Sequence, residues 1–302
     1  LLAADRVLGV SEPQFVACAS APRFPPIFII GLPRVGSTLV YQAIVRGLVT
    51  SYFCNAAATG PRAPALITRA LSRFLTITPP DCYTSDYGIT RGWNAPAQAR
   101  EIWGRWFPGD QSYVGGGGCP ASDLRAVRGT VSRVEQALGA PFVSKSQGHA
   151  VRILPLFEAF PGAVFVRVRR AAIAVAESIL LGRRECFQDD THWFSAKPSN
   201  HRDLVDLDPF QQIAAQIRSV DADMDRDLKQ TRSRRIFEIE YADFCASPRA
   251  TLAKLAEFYA SSTGHSLRNR LPVPESFHSS TRRKVSLEES ARLKKCLADV
   301  LR

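Results

Sequence analysis

Apolar residues fall into two alternating patterns along this chain. A short continuous apolar run at residues 25–30 is as expected of a strand buried on both faces, and residues 141–145, 163–168 and 235–240 are strand-like as well. Stretches with apolar positions three and four apart follow them, as amphipathic helices require. The first, 37–49, spaces Leu39, Val40, Ala43, Ile44 and Leu48 in this way. After 141–145 the pattern runs through Val151, Ile153, Leu154, Leu156 and Phe157 until Pro161-Gly162 stops it. Residues 171–181 form the next helical stretch, and 211–228 repeats Ile213, Ile217, Val220, Met224 and Leu228. Ser247-Pro248 opens a further helix ending near Tyr259, with proline at a favoured first-turn position. Strands alternating with helices predict an α/β fold, a parallel sheet with helices on both faces.

Two stretches break the alternation. Residues 76–125 are rich in Trp, Tyr, Gly and Pro and contain four consecutive glycines, 115–118, while 184–205 is irregular and polar. Segments this long inside an α/β domain are more often functional than idle. The 302 residues read as a single domain, 1–302, with 1–23 as an N-terminal extension. In that extension Asp5, Arg6, Glu12 and Pro13 break up any signal-peptide core. No apolar run reaches the ~20 residues of a membrane span.

The formal net charge of +11 comes mostly from arginine and favours an anionic partner. The arginines are scattered, and no helix-turn-helix, zinc-finger or RNP-type pattern is present, so a small anionic ligand is expected and nucleic acid is not. Seven cysteines, an odd number without CxxC spacing, point to reduced thiols and a cytoplasmic location. The five histidines lack metal spacing, so no metal is expected. Residues 221–227 imitate the start of a calcium loop, but Arg226 and Arg232 stand where glycine and glutamate are required. A solvated helix face is the expectation there.

Gly31-Leu-Pro-Arg-Val-Gly-Ser-Thr38 has the Walker A spacing GxxxxGK[ST], with Ser37 in place of the lysine. That lysine contacts the β- and γ-phosphates of triphosphates, so hydrolysis of ATP or GTP is disfavoured. The loop still suits one anionic group, because backbone N–H groups converge on it, a helix begins at Ser37, and Arg34 adds charge.

The segment Gly31 to Leu39 resembles the GxPRSGTTLL phosphosulfate loop of the PAPS-dependent sulfotransferases, particularly their tyrosylprotein and bacterial carbohydrate branches. The resemblance implies that Arg34, Val35, Gly36, Ser37 and Thr38 hold the 5′-phosphosulfate. Arg170 ends a strand, and Ser178 follows eight residues on in a helix. An arginine at a strand's carboxyl end and a hydroxyl about two turns along a helix can face one phosphate. The pair is similar to the family's RDP…S site for the 3′-phosphate, with Ala171-Ala172 replacing Asp-Pro. Glu240-Tyr-Ala-Asp-Phe-Cys-Ala-Ser-Pro248 resembles the YEDL…P segment, which puts Tyr241 near the nucleotide. Ser279-Ser-Thr-Arg-Arg-Lys284, with Arg283, stands where the family closes over it. The resemblance further implies a three-layer P-loop-type fold with a central parallel sheet flanked by helices, PAPS as donor and PAP as product. It makes 76–125 and 184–205 inserted acceptor-side segments.

Sulfuryl transfer needs a cation beside the leaving oxygen and a base for the acceptor's proton. Lys145, at a strand's carboxyl end, is expected as the cation; the family carries KxPxH after this strand, and here the segment is Lys-Ser-Gln-Gly-His149. His149 is the expected base, with the carboxylates Glu101 and Asp86 as rivals. The tyrosylprotein branch has a glutamate soon after its first helix. Tyr52-Phe-Cys-Asn55 lacks one, which argues against protein tyrosine as acceptor. Tyr87, Trp93, Trp103 and Trp106 suit a glycan or small hydroxylated acceptor, although core packing explains any single tryptophan as well. A nucleotide kinase or NTPase, and a non-catalytic nucleotide or polyanion binder, are the alternatives.

Overall fold

The computed structural model describes residues 2–107, 109–278 and 285–300. The chain begins with α1 (Leu2–Ala17), β1 (Ile27–Ile30), α2 (Ser37–Gly47), α3 (Asn55–Ala58) and α4 (Pro64–Phe74). A small hairpin, β2 (Ser85–Asp86) with β3 (Ile89–Thr90), precedes α5 (Arg100–Trp103), α6 (Ala121–Leu138) and β4 (Val143–Lys145). A 3-10 turn (Gln147–Val151) leads into α7 (Ile153–Ala159), β5 (Val164–Arg169), α8 (Ala172–Phe187), α9 (His201–Leu204) and α10 (Pro209–Thr231). Last come β6 (Ile236–Glu240), α11 (Tyr241–Ala246), α12 (Pro248–Thr263) and α13 (Leu287–Val300).

The four strand-like segments supply the four strands of one parallel sheet, in the order β4-β1-β5-β6. Strand β1 is central, with Ile29 opposite Lys145 on one side and Val166 on the other. Side chains alternate across a strand, and the sheet divides its core accordingly. Ile27, Ile29, Val143, Val164, Val166 and Val168 pack in one layer, with α2, α8 and α12. Phe28, Ile30, Phe142 and Phe165 pack in the other, with α6, α7 and the aromatic residues around Trp103. Helix α10 serves both layers, through Ile213 and Ile217 on one and Val220, Met224 and Leu228 on the other.

The N-terminal extension is ordered. Glu12, nearly fully buried, accepts from the N–H groups of Ala65 (2.9 Å) and Leu66 (3.0 Å), and Asp5 accepts from that of Arg62 (2.9 Å). Glu12 thus caps the start of α4, whose first four N–H groups lack intrahelical partners, and Asp5 holds the turn just before it. The aspartates of 221–227 lie on α10: Asp221 and Asp225 pair with buried Arg167, and Asp223 with Arg226. Among the described residues no group of ligands suited to a metal occurs, and no helix is long and apolar enough to cross a membrane. All seven cysteines are free.

Candidate active site

The turn after β1 needs glycine at two places. A Cβ on Gly31 would lie 2.6 Å from the carbonyl oxygen of Val168 on the neighbouring strand. A Cβ on Gly36, whose φ is 90°, would lie 2.1 Å from Cε2 of Tyr241. The glycines therefore let the turn press against β5 and against the Tyr241 ring. Gly36 caps α2 with no side-chain hydrogen bond, so the helix's first N–H groups open into a cleft at the carboxyl ends of β1, β4 and β5. The cleft has a volume of ≈ 430 Å³ and is lined by the loop, Lys145, Gln147, Arg170, Ser178, Tyr241, Tyr87 and His278. It lies where open α/β sheets bind ligands, beside a strand whose neighbours on both sides are reached by crossovers.

Three cations face this cleft. Arg34 adopts a positive φ of 68°, donates from Nε to Ser178 Oγ (3.0 Å) and lies over the Tyr87 ring, 4.6 Å from its centroid. Arg170 donates from Nη1 to the Arg34 carbonyl (3.1 Å) and sits over the Tyr241 ring at 5.0 Å. Lys145, 3% exposed, donates from Nζ to Gln98 Oε1 (2.9 Å). Burial, and secondarily the charge of Arg34, lower the Lys145 ammonium to about 7. Among the described residues neither Arg34 nor Lys145 has a carboxylate partner within ion-pair distance. An uncapped helix start with under-compensated cations is a receptor for a strongly negative ligand. Arg34, Ser178 and Arg170 form one connected unit, so the two anion sites read separately from the sequence adjoin.

The remaining expected residues separate. Val35 is fully buried beneath the loop, while Ser37 and Thr38 line the cleft. His149, 1% exposed, does not line it: Nε2 is 3.1 Å from Ser144 Oγ, and the ring packs edge-on against Phe28 and Trp103. The 3-10 turn after β4 carries the ring inward, away from the residues that line the cleft. Burial, reinforced by Arg152 and Lys145, holds that imidazole well below its ordinary range. Glu101 lies in a second pocket, of ≈ 420 Å³, whose lining shares Ser146 with the cleft. Trp103 and Trp106 are core residues, Trp93 is exposed, and Tyr87 alone of the aromatic group lines the cleft. Arg283 lies outside the described residues.

Sequence reasoning passed over Gln98 as the partner of Lys145, and Glu185, which accepts from the Tyr87 hydroxyl. Both partners are far away in the chain, so no local spacing signals them. His278 lines the cleft from the loop after α12, and only the neighbouring basic run hinted at this position.

Residues 25–261 match the model of the sulfotransferase family. No curated protein sequence matches. Among solved structures, the chain is similar to sulfotransferase STF9 from Mycobacterium avium, with 15% identity and a TM-score of 0.54, covering 96% of this chain and 71% of that one. It is also similar to sulfotransferase STF1 from Mycobacterium tuberculosis, with 15% identity and a TM-score of 0.52, covering 97% and 82%. At such identities the likeness is one of fold.

Proposed function

The chain belongs to the sulfotransferase family and is an enzyme of sulfuryl transfer from a PAPS-type donor; from that premise we propose how its residues divide the work, and that the acceptor is a glycan hydroxyl. The loop amides at Gly36 to Thr38 and Arg34 hold the 5′-phosphosulfate. Arg170 and Ser178 take the 3′-phosphate, and Tyr241 braces both Gly36 and Arg170. Lys145 supports the bridging oxygen that keeps the electron pair as its bond to sulfur breaks, while the acceptor oxygen forms the new bond to sulfur. Glu101, open in the pocket that meets the cleft at Ser146, receives the acceptor's proton. His149 keeps the turn after β4 packed.

The observation that carries this reading is the meeting of Arg34, Arg170 and Lys145 at an uncapped helix start. Thermal shift with PAP and with ATP tests it: PAP stabilises the protein and ATP does so far less. Stabilisation by ATP without PAP would return the kinase reading. The glycan rests on the polar character of the second pocket, where Glu101, Gln111 and Ser146 stand beside Phe107.

A further inference from the structure

The second pocket contains a residue that the transfer chemistry does not use. Arg152 is 4% exposed, yet among the described residues it has no ion-pair partner. Its Nη2 donates to the Gly109 carbonyl (2.6 Å), its guanidinium lies 5.5 Å from the Phe107 ring centroid, and its Nε is buried without any hydrogen-bond partner. A buried cation left short of acceptors is costly unless a ligand completes it. The other guanidinium in this pocket, Arg100, is already paired with Asp110. The pocket therefore has no net charge from these groups and Glu101, and any anion preference comes from Arg152 locally.

The wall between this pocket and the donor cleft is built for contact between them. Ser146 lines both. Ser195 donates to Gln147 Oε1 (2.7 Å) on the cleft side and reaches Gln111 Oε1 (3.4 Å) on the pocket side. Gln111 and Ser195 both hold positive φ, 54° and 76°, a strain that persists where surrounding structure enforces it.

We infer that Arg152 binds a carboxylate on the acceptor, so that the substrate is an acidic glycan, with a uronic acid in the second pocket while its hydroxyl reaches the sulfuryl group. Glu101 and Gln111 suit the hydroxyls of the same sugar, and Phe107 its apolar face. Arg152 presents a planar fork matched to a carboxylate. This inference rests on the sulfuryl-transfer reading.

The test holds PAP at saturation and titrates p-nitrophenyl β-D-glucuronide and p-nitrophenyl β-D-glucoside, following binding by saturation-transfer NMR. The glucuronide should bind about ten-fold more tightly, the scale of one charge-assisted hydrogen-bonded contact. R152Q should erase that preference, and R152K should keep part of it. Equal affinities, no binding of either glycoside, or a preference that survives in R152Q would each overturn the inference. PAP binding by R152Q checks its folding; if that variant does not fold, the wild-type comparison and R152K decide. Failure of the wild-type protein to bind PAP would overturn the donor reading instead, which keeps the two outcomes apart.

Discussion

Lys145 and His149 lie four residues apart and meet different surroundings, one lining the cleft and the other among Phe28 and Trp103. Each carries a pH signature with a definite sign. The folded His149 stays neutral, whereas the unfolded residue takes up a proton below about pH 6.5. The unfolded state then binds more protons, so stability is full above that pH and falls as pH drops through it. Unfolding free energies from urea titrations at pH 7.5 and 5.5 should differ by about 1.4 kcal/mol from this group, and His149→Asn should flatten that slope; an unchanged slope would show that the ring is not held neutral. For Lys145, near 7 without ligand, an arriving anion favours the ammonium. PAP binding should therefore take up a proton at pH 8, and affinity should decline as pH rises above 7. Calorimetry in buffers of different ionisation enthalpy measures the uptake, and Lys145→Ala should abolish it while lowering kcat by about 100-fold or more, the scale of a lost charge-stabilising donor.

At the scale of elements, the site is a joint between the turn after β1 and the start of α11. Gly36 sits in the left-handed region under the Tyr241 ring, so Gly36→Ala should cost at least ~1 kcal/mol from strain alone and weaken PAP as the ring is displaced. Retained PAP affinity in a folded G36A would separate Tyr241 from the nucleotide. By contrast, Glu12→Ala removes the cap of α4 far from the cleft. It should lower stability by about 1 kcal/mol and leave PAP binding as it was. Strands β1 and β5 were legible because they are buried on both faces and so are apolar at nearly every position, whereas β6 is buried only at Ile239 and carries exposed glutamates. Helix α6 was not: Ala121–Leu138 is rich in polar and charged residues, and its start falls within the Gly-rich stretch. Helix α1 was hidden by Pro13 and by Asp5 and Glu12, which bond to the backbone before and at the start of α4.

For the whole molecule, ligand binding and stability are linked. PAP at 100 times its Kd should add about 2.7 kcal/mol to folding stability, read as a rise in Tm. Arg170→Ala should reduce PAP affinity by more than ~10-fold, the loss of a charge-assisted contact, and affect adenosine 5′-phosphosulfate less, since only PAP carries a 3′-phosphate. Equal losses for both ligands would remove Arg170 from that site.

The sequence by itself determined the parallel α/β sheet and the glycine turn from Gly31 to Thr38 that leads into α2. It also placed the strand-end positions of Lys145 and Arg170. Those features follow from side-chain periodicity and from backbone requirements acting within a few residues. Only the tertiary structure decided that Arg34 meets Ser178, that Gln98 holds Lys145, that His149 turns inward, and that Arg152 faces a second pocket. These contacts depend on how strands align in the sheet and on where the inserted segment folds back over it. Residues far apart in the chain settle both, and no local spacing records them.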